Sequence, residues 1–341
     1  MSKKILITGS AGFIGYHLAR KLIELNFNVI GFDNLNSYYD VSLKKARLEE
    51  LNKLSSEKRR YWNFTKGDLE NRNELNALFQ KFSPSIIVHL AAQAGVRYSI
   101  SNPRAYINSN IIGFQNILEF SQEFNIEHLI YASSSSVYGG NSNIPFSEKD
   151  PINHPVSIYA ASKKANELFA HVYSHLYDIP STALRFFTVY GPWGRPDMAP
   201  MIFTNSILNK KPIRIFNNGD MQRDFTYIDD IIEAIVKLID KPSTPNKDFQ
   251  TDLPDPATSW SPHRIFNIGN SKPISLMKFI QILESELGIK AIKILEPMQM
   301  GDVKSTYADT SELEKWISYK PSTCLEEGIK NFVNWYKYFY K

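Results

Sequence analysis

Lys4-Ile-Leu-Ile-Thr8 runs directly into Gly9-Ser-Ala-Gly12-Phe-Ile-Gly15, and this junction constrains the fold more than any other stretch. The first segment is short and apolar, as a buried strand is, and Ile14, Leu18, Leu22 and Leu25 then recur at helical spacing. A second apolar run, Asn28 to Phe32, ends in Asp33, about twenty positions beyond the glycines. Strand, glycine turn, helix and strand in this order suit a dinucleotide. Glycines let the backbone approach a pyrophosphate, the helix start offers N–H groups to it, and the carboxylate can hold ribose hydroxyls. The spacing is G-x-x-G-x-x-G. Asp33 would repel a 2′-phosphate and has no arginine beside it in sequence, so NAD is expected over NADP.

The alternation continues. Strands are expected at Tyr61–Thr65, Ile86–Ala91, His128–Ser133 and Ser181–Thr188, and again at Arg264–Ile268. Helices are expected from Asn71 to Phe82, Arg104 to Phe124 and Tyr159 to Tyr177, the last with Leu168, Val172 and Leu176 as its core stripe. This order predicts an α/β fold with a doubly wound parallel Rossmann sheet, whose ligands collect at the carboxyl ends of the strands. Gly9, Asp33, Ala91 and Ser134 all fall at such ends. After Thr188 the rhythm breaks. Residues 1–188 are expected to form the nucleotide domain, with segments near 227–240 and 264–268 returning to it, and 189–341 a smaller mixed lobe. The proline-rich stretch from Lys241 to Pro262 reads as a surface loop. Helices are expected at Leu276–Leu287, at Leu313–Ile317 behind a Ser311-x-x-Glu314 capping box, and at Leu325–Phe339.

Composition excludes several classes. A chain of 341 residues can bury a full core, and a net charge of +4 is small for that length. The most basic stretch, Lys44 to Arg60, is interleaved with Glu49, Glu50 and Glu57, and reads as a solvated surface, not a nucleic-acid patch. The single Cys324 allows neither an internal disulfide nor a cysteine metal site, and no metal is indicated. The apolar run after Lys3 and Lys4 stops too soon for a signal peptide, and no window is long enough to span a membrane, so a cytoplasmic protein is expected.

Tyr159-Ala-Ala-Ser-Lys163 sets a phenol and an ammonium one helical turn apart on one face. A nearby cation favours phenolate, which brings a tyrosine toward service as a general base. Taken alone, the pair also fits a solvated helix face.

Together, Gly9-x-x-Gly12-x-x-Gly15, Leu90-Ala-Ala92, Ser133-x-x-x-Val137-Tyr-Gly139 and Tyr159-x-x-x-Lys163 resemble the extended short-chain dehydrogenase/reductase superfamily over nearly the whole chain. Asn34–Val41, Ala91–Tyr98, Arg185–Met198 and Met298–Val303 are similar to the UDP-glucuronate 4-epimerases, with Met300 standing where proline is expected. The resemblance implies interconversion of UDP-glucuronate and UDP-galacturonate through a 4-keto sugar on a tightly held NAD. It also implies a homodimer built from the Arg104–Phe124 and Tyr159–Tyr177 segments, and supply of a surface polysaccharide. No nucleic-acid or membrane partner is implied.

The same resemblance assigns roles. Tyr159 takes the proton of the 4-hydroxyl, Lys163 binds the nicotinamide ribose and lowers the tyrosine pKa, and Ser134 shares the hydroxyl hydrogen bond. The cofactor set is Gly9, Gly12, Phe13, Ile14, Gly15, Asp33, Asn34, Asp68, Leu69, Leu90, Ala91, Ala92, Asn110, Tyr159 and Lys163. The substrate set is Ser134, Ser135, Ser136, Tyr159, Thr188, Arg195, Arg223 and Asp302. Related dehydratases and decarboxylases carry acidic residues just before Val137, whereas Ser135 and Ser136 cannot act as carboxylic acids. A 4-keto uronate is a β-keto acid, which loses CO₂ when its C5–carboxylate bond aligns with the carbonyl π system. Arg195 is the candidate to hold that carboxylate, helped by Ser135, Ser136 and Thr188; contact with a phosphate, or capping of its turn, is the alternative. Arg223 resembles the arginine on the diphosphate and Asp302 the residue on the uridine ribose, with surface ion pairs as the alternative. Two other activities compete: 4-epimerisation of neutral UDP-hexoses, and a non-catalytic NAD-binding regulator.

Overall fold

The computed structural model describes residues 3–299 and 304–340. The chain opens with β1 (Lys4–Thr8), α1 (Phe13–Glu24) and β2 (Asn28–Asp33). An unforeseen helix, α2 (Val41–Lys58), comes next, capped where the Asp40 carboxylate accepts from the Ser42 amide at 2.9 Å. Its polar sequence hides any helical stripe, because two of its inward residues are the cations Lys44 and Arg47. They correct the solvated-surface reading: Arg47 is 0% and Lys44 5% exposed.

β3 (Trp62–Lys66), α3 (Arg72–Phe82) and β4 (Ile86–His89) follow, α3 starting where the Asn71 side chain accepts from the Asn73 and Glu74 amides. The expected 104–124 helix is a composite run. Two short turns, α4 (Tyr98–Ser101) and α5 (Pro103–Tyr106), lead into π-helical residues Ile107–Ile112 and then α6 (Gly113–Glu123). β5 (His128–Ser134), a short 3₁₀ turn over Ser135–Tyr138, α7 (Ile158–Tyr177) and β6 (Ser181–Phe186) complete this half.

β6 is shorter than expected, because Thr188 begins β7 (Thr188–Tyr190), which pairs elsewhere. After it come α8 (Ala199–Leu208), β8 (Ile213–Ile215), β9 (Gln222–Tyr227), α9 (Ile228–Ile239) and β10 (His263–Ile268). The rest is β11 (Pro273–Ser275), α10 (Leu276–Leu287), β12 (Lys293–Leu295), β13 (Ser305–Thr306), α11 (Ser311–Ile317) and α12 (Leu325–Phe339). Ser311 is the first helical residue of α11, not its cap, and no side-chain capping bond forms there.

The main sheet has seven parallel strands in the order β10-β6-β5-β4-β1-β2-β3. β1 lies between β4 and β2; the chain runs outward from β1 through β2 to β3 and returns to β4 on the other side of β1, and a crevice opens above the carboxyl ends at that reversal. β10 is an edge strand, and the 241–262 loop folds back onto it: Ile265 N donates to Ala257 O at 2.9 Å. That contact covers an otherwise open row of ladder groups. A second sheet joins β7, β9, β11 and β13, and β8 pairs with β12. One core cluster runs from Ile5 and Leu22 through Ile231 to Phe225, Phe279 and Phe332, so the second sheet and its helices share apolar packing with the first.

The predicted stripe on α7 faces outward. Leu168 is 56%, Val172 48% and Leu176 60% exposed, while Ala160, Lys163, Glu167, Ala170 and Ser174 form the inward face. Small and polar residues let α7 sit close to the sheet, which carries the site.

Candidate active site

At the end of β1 the chain turns sharply at Gly9, with φ of +73°. A Cβ there would lie 2.7 Å from Ala91 N, and one at Gly15 would lie 2.1 Å from Gly9 O. Neither could be accommodated without moving backbone. Gly12 caps α1 without any side-chain acceptor, so no side chain at the cap takes up the amides of the first turn, at Phe13, Ile14 and Gly15. Asp33 faces the same loop: its carboxylate accepts from Ala11 N at 3.1 Å and from Leu35 N at 2.8 Å. Lys44 feels the charge of Asp33, and its ammonium is committed to Asn36 O and Oδ1 at 2.9 and 2.8 Å. A close cradle, free first-turn amides and a terminal carboxylate fit a dinucleotide.

The remaining cofactor candidates form the crevice wall. Asn34 donates to Asp68 Oδ2 at 3.0 Å, and Leu69 O accepts from Asn116 at 2.7 Å. Ala91 N donates to Thr8 Oγ1 at 3.2 Å, which fixes the Leu90–Ala92 turn beside Gly9. Asn110 lies in the π-helical stretch, where the widened turn aims its side chain inward. Its amide meets Gln93 N and O at 2.8 and 3.0 Å and Ser162 at 3.0 Å. Asn110 therefore ties the loop after β4 to α7 through its own side chain.

α7 begins where the Ser157 hydroxyl accepts from Ala160 N at 3.1 Å, which places Tyr159 in the first turn. Lys163 is buried, and its ammonium donates to Ala132 O at 2.8 Å. Burial alone pulls its pKa down to about 8. Tyr159 departs from expectation in the protein by itself. Burial raises its pKa, while the Ser134 hydroxyl and the Arg195 charge pull it back down. Lys163 has been drawn to the end of β5, where it faces a carbonyl.

Ser134 ends β5, and its Oγ accepts from Ser136 N at 3.1 Å, so the four-serine run is an ordered turn. Ser135, Ser136, Thr188 and Arg223 line one cleft, together with Val96, Tyr138, Phe146 and Thr306. Among the described residues, no carboxyl group lines it. Arg223 donates to Gln222 O and Lys304 O at 2.8 and 3.2 Å. Asp302 lies outside the described residues, as do Met300 and Gly301.

Arg195 sits beside Tyr159 in charge effect, on the turn after β7. Its Nε donates to Asp197 Oδ1 at 3.0 Å and its Nη2 to Asp197 Oδ2, while the Tyr38 hydroxyl donates to Asp197 at 3.1 Å. Asp197 and Tyr38 were missed by the motif reading. A basic and an acidic residue two apart on a Pro-rich turn were the available signal.

Below the serine turn lies a buried polar lattice, also unforeseen. Arg185 grips Glu167 with Nε and Nη2 at 2.9 and 3.0 Å and donates to the Tyr138 hydroxyl at 3.0 Å. Ser133 donates to Glu167 at 2.7 Å, and Tyr138 to Asn267 at 2.7 Å. The lattice joins β5, α7, β6 and β10 directly beneath Ser134–Ser136. No group of three or more His, Cys, Asp or Glu side chains among the described residues could hold a metal ion.

Residues 5–269 match the model of the NAD dependent epimerase/dehydratase family. The chain belongs to that family. It is 54% identical to Protein CapI of Staphylococcus aureus over 338 residues, covering 99% of each chain. It is 45% identical to the Probable UDP-glucuronate 4-epimerase of Rhizobium meliloti (strain 1021), over 99% of this chain and 98% of that one. Among solved structures, the UDP-glucuronic acid 4-epimerase from Bacillus cereus in complex with UDP-glucuronic acid and NAD superposes with a TM-score of 0.85 at 33% identity. The match covers 99% of this chain and 100% of that chain. As a member of an NAD-dependent epimerase family, the chain uses NAD. No helix among the described residues is long and apolar enough to cross a membrane.

Proposed function

We propose that this protein is an NAD-dependent UDP-glucuronate 4-epimerase, producing UDP-galacturonate through a 4-keto intermediate. The observation that carries the reading is a cleft bearing Ser135, Ser136 and Thr188 hydroxyls, without a carboxyl group among its described lining, beside a tyrosine flanked by Ser134 and Arg195. NAD, when bound, supplies the acceptor and later the donor of the C4 hydride. The protein's own residues manage the proton and the carboxylate. Tyr159 removes the proton of the 4-hydroxyl and returns it to the 4-oxygen on the opposite sugar face, with Ser134 sharing that hydrogen bond. Lys163 stands one turn below to bind the nicotinamide ribose. Arg195 and the cleft hydroxyls hold the uronate carboxylate out of line with the 4-keto group, which suppresses loss of CO₂. Arg223 meets the diphosphate, and the second sheet with its helices forms the sugar-nucleotide lobe from about residue 189. The relatives named for this activity support the same reading.

A homodimer fits the outward faces of two adjacent helical runs. Ile107, Ile112, Leu168, Val172 and Leu176 are each at least 46% exposed and would be covered by a second copy. We read the protein as cytoplasmic from its sequence, and its sugar product as feeding a surface polysaccharide. Incubation of the purified protein with UDP-glucuronate, followed by NMR of the sugar protons, tests the reading. UDP-galacturonate is expected. UDP-xylose would overturn the carboxylate clamp, and turnover of UDP-glucose alone would favour the neutral-hexose activity.

A further inference from the structure

Arg47 is fully buried, with no carboxylate partner among the described residues. Its Nη1 donates to Ala11 O and to the Tyr39 hydroxyl, both at 2.8 Å, and its Nη2 to Trp193 O at 2.6 Å and Gly194 O at 3.4 Å. Its Nε has no partner. Burying a guanidinium without a counter-charge is unfavourable unless its donors are satisfied, and here nearly all the satisfaction comes from backbone oxygens. Those oxygens belong to two segments distant in sequence. Ala11 lies inside the glycine cradle, and Gly194 immediately precedes Arg195. The guanidinium is planar and rigid, so carbonyls on two of its nitrogens hold a fixed separation.

We propose that Arg47 is a positioning residue that ties the cofactor cradle to the turn carrying Arg195, so that the cradle sets where Arg195 meets the substrate. Movement of Ala11 is transmitted through one rigid group to the peptide before Arg195. The same buried positive charge favours anions in both segments it touches. This inference rests on the reading that Arg195 holds the uronate carboxylate.

The test uses NAD-loaded protein and two ligands, UDP-glucuronate and UDP, titrated by calorimetry into wild type, Arg47→Met and Arg47→Lys. Arg47→Met is expected to weaken UDP-glucuronate about tenfold relative to UDP; Arg47→Lys, which keeps a cation and one reachable carbonyl, about threefold. Adding Arg47→Met to Arg195→Ala should change the ratio no further, because the tie acts through Arg195. Hydrogen exchange of residues 191–198 should quicken in both Arg47 variants while the main sheet stays protected. Equal weakening of both ligands, or unchanged exchange in that segment, would overturn the tie. A further loss on top of Arg195→Ala would do so as well. If Arg195→Ala alone leaves the ratio unchanged, the carboxylate reading has failed, and the exchange result still judges the tie.

Discussion

Asp197 takes the Nε and Nη2 donors of Arg195 on one edge of the guanidinium, at 3.0 Å for the Nε bond. A guanidinium has five N–H donors, so the edge bearing Nη1 remains for a second carboxylate. Arg195 can therefore be oriented by one acid and present its other edge to a uronate. Asp197→Ala should raise KM for UDP-glucuronate about tenfold, on the order of 1.4 kcal/mol, while UDP inhibition stays within about twofold. Steady-state kinetics with UDP as competitor checks this. A tighter uronate KM would mean that Asp197 competes with substrate instead of orienting the arginine.

The proposed function makes Tyr159 and Ser134 the proton-handling pair. Tyr159→Phe removes the base and should lower kcat at least about 100-fold, with UDP binding retained. Ser134→Ala removes one hydrogen bond to the same oxygen and should lower kcat about tenfold. Activity of the phenylalanine variant within a few-fold of wild type would remove Tyr159 from the chemistry.

Most of the sheet and its strand ends were legible because most strands are short apolar runs and most crossover helices carry a periodic stripe; α2 does not, and was missed. Legibility failed where side chains break the usual rule for their type. Lys44 and Arg47 read as surface because cations in an interleaved stretch normally face water, yet both turn inward to bind backbone oxygens. Leu168, Val172 and Leu176 read as core because apolar spacing cannot say which apolar face meets the sheet. Here the small face does. Candidates carried by compact motifs, Gly9, Asp33, Tyr159 and Ser134, stand out in sequence because each motif places them at a strand or helix end. Asp197 and Glu167 act through partners that only folding brings to them.

Lys163 gives a pH prediction with a definite sign. Its pKa is about 8 in the folded, NAD-free protein against 10.5 for an ordinary lysine. Between those values the unfolded chain binds the extra proton, so stability contributed at this site rises with pH across the window. Below about pH 8 the burial penalty is constant, on the order of 3 kcal/mol. Urea unfolding of wild type and Lys163→Met from about pH 7 to about pH 10 should show wild type gaining on the variant as pH rises. Parallel profiles would contradict a buried ammonium.

The Glu167–Arg185 pair is buried on both sides, with side-chain exposures of 1% and 0%. Glu167→Ala would leave Arg185 buried without its counter-charge, at a cost of about 3–5 kcal/mol. Glu167→Gln keeps the hydrogen-bonding shape and should cost less. Because Glu167 also accepts from Ser133 at 2.7 Å, next to Ser134, the glutamine variant should lose kcat more than UDP affinity. Thermal denaturation and kcat measured together separate the two effects; an unchanged kcat in a destabilised glutamine variant would confine the pair to folding.

The outward apolar stripe of α7 makes the last prediction the simplest to read. Leu168 and Leu176 are 56% and 60% exposed, so replacing them removes little packing within one chain. If a second copy covers them, each buries its remaining apolar surface, worth roughly 1–2 kcal/mol per side chain at the interface. Leu168→Glu with Leu176→Glu would place four carboxylates across a two-fold interface, where both desolvation and like-charge repulsion oppose association. Light scattering after gel filtration should give twice the chain mass for wild type and the single-chain mass for the double variant, with far-UV dichroism unchanged. A wild type that already travels at the mass of one chain would end the dimer reading and leave the stripe without a partner.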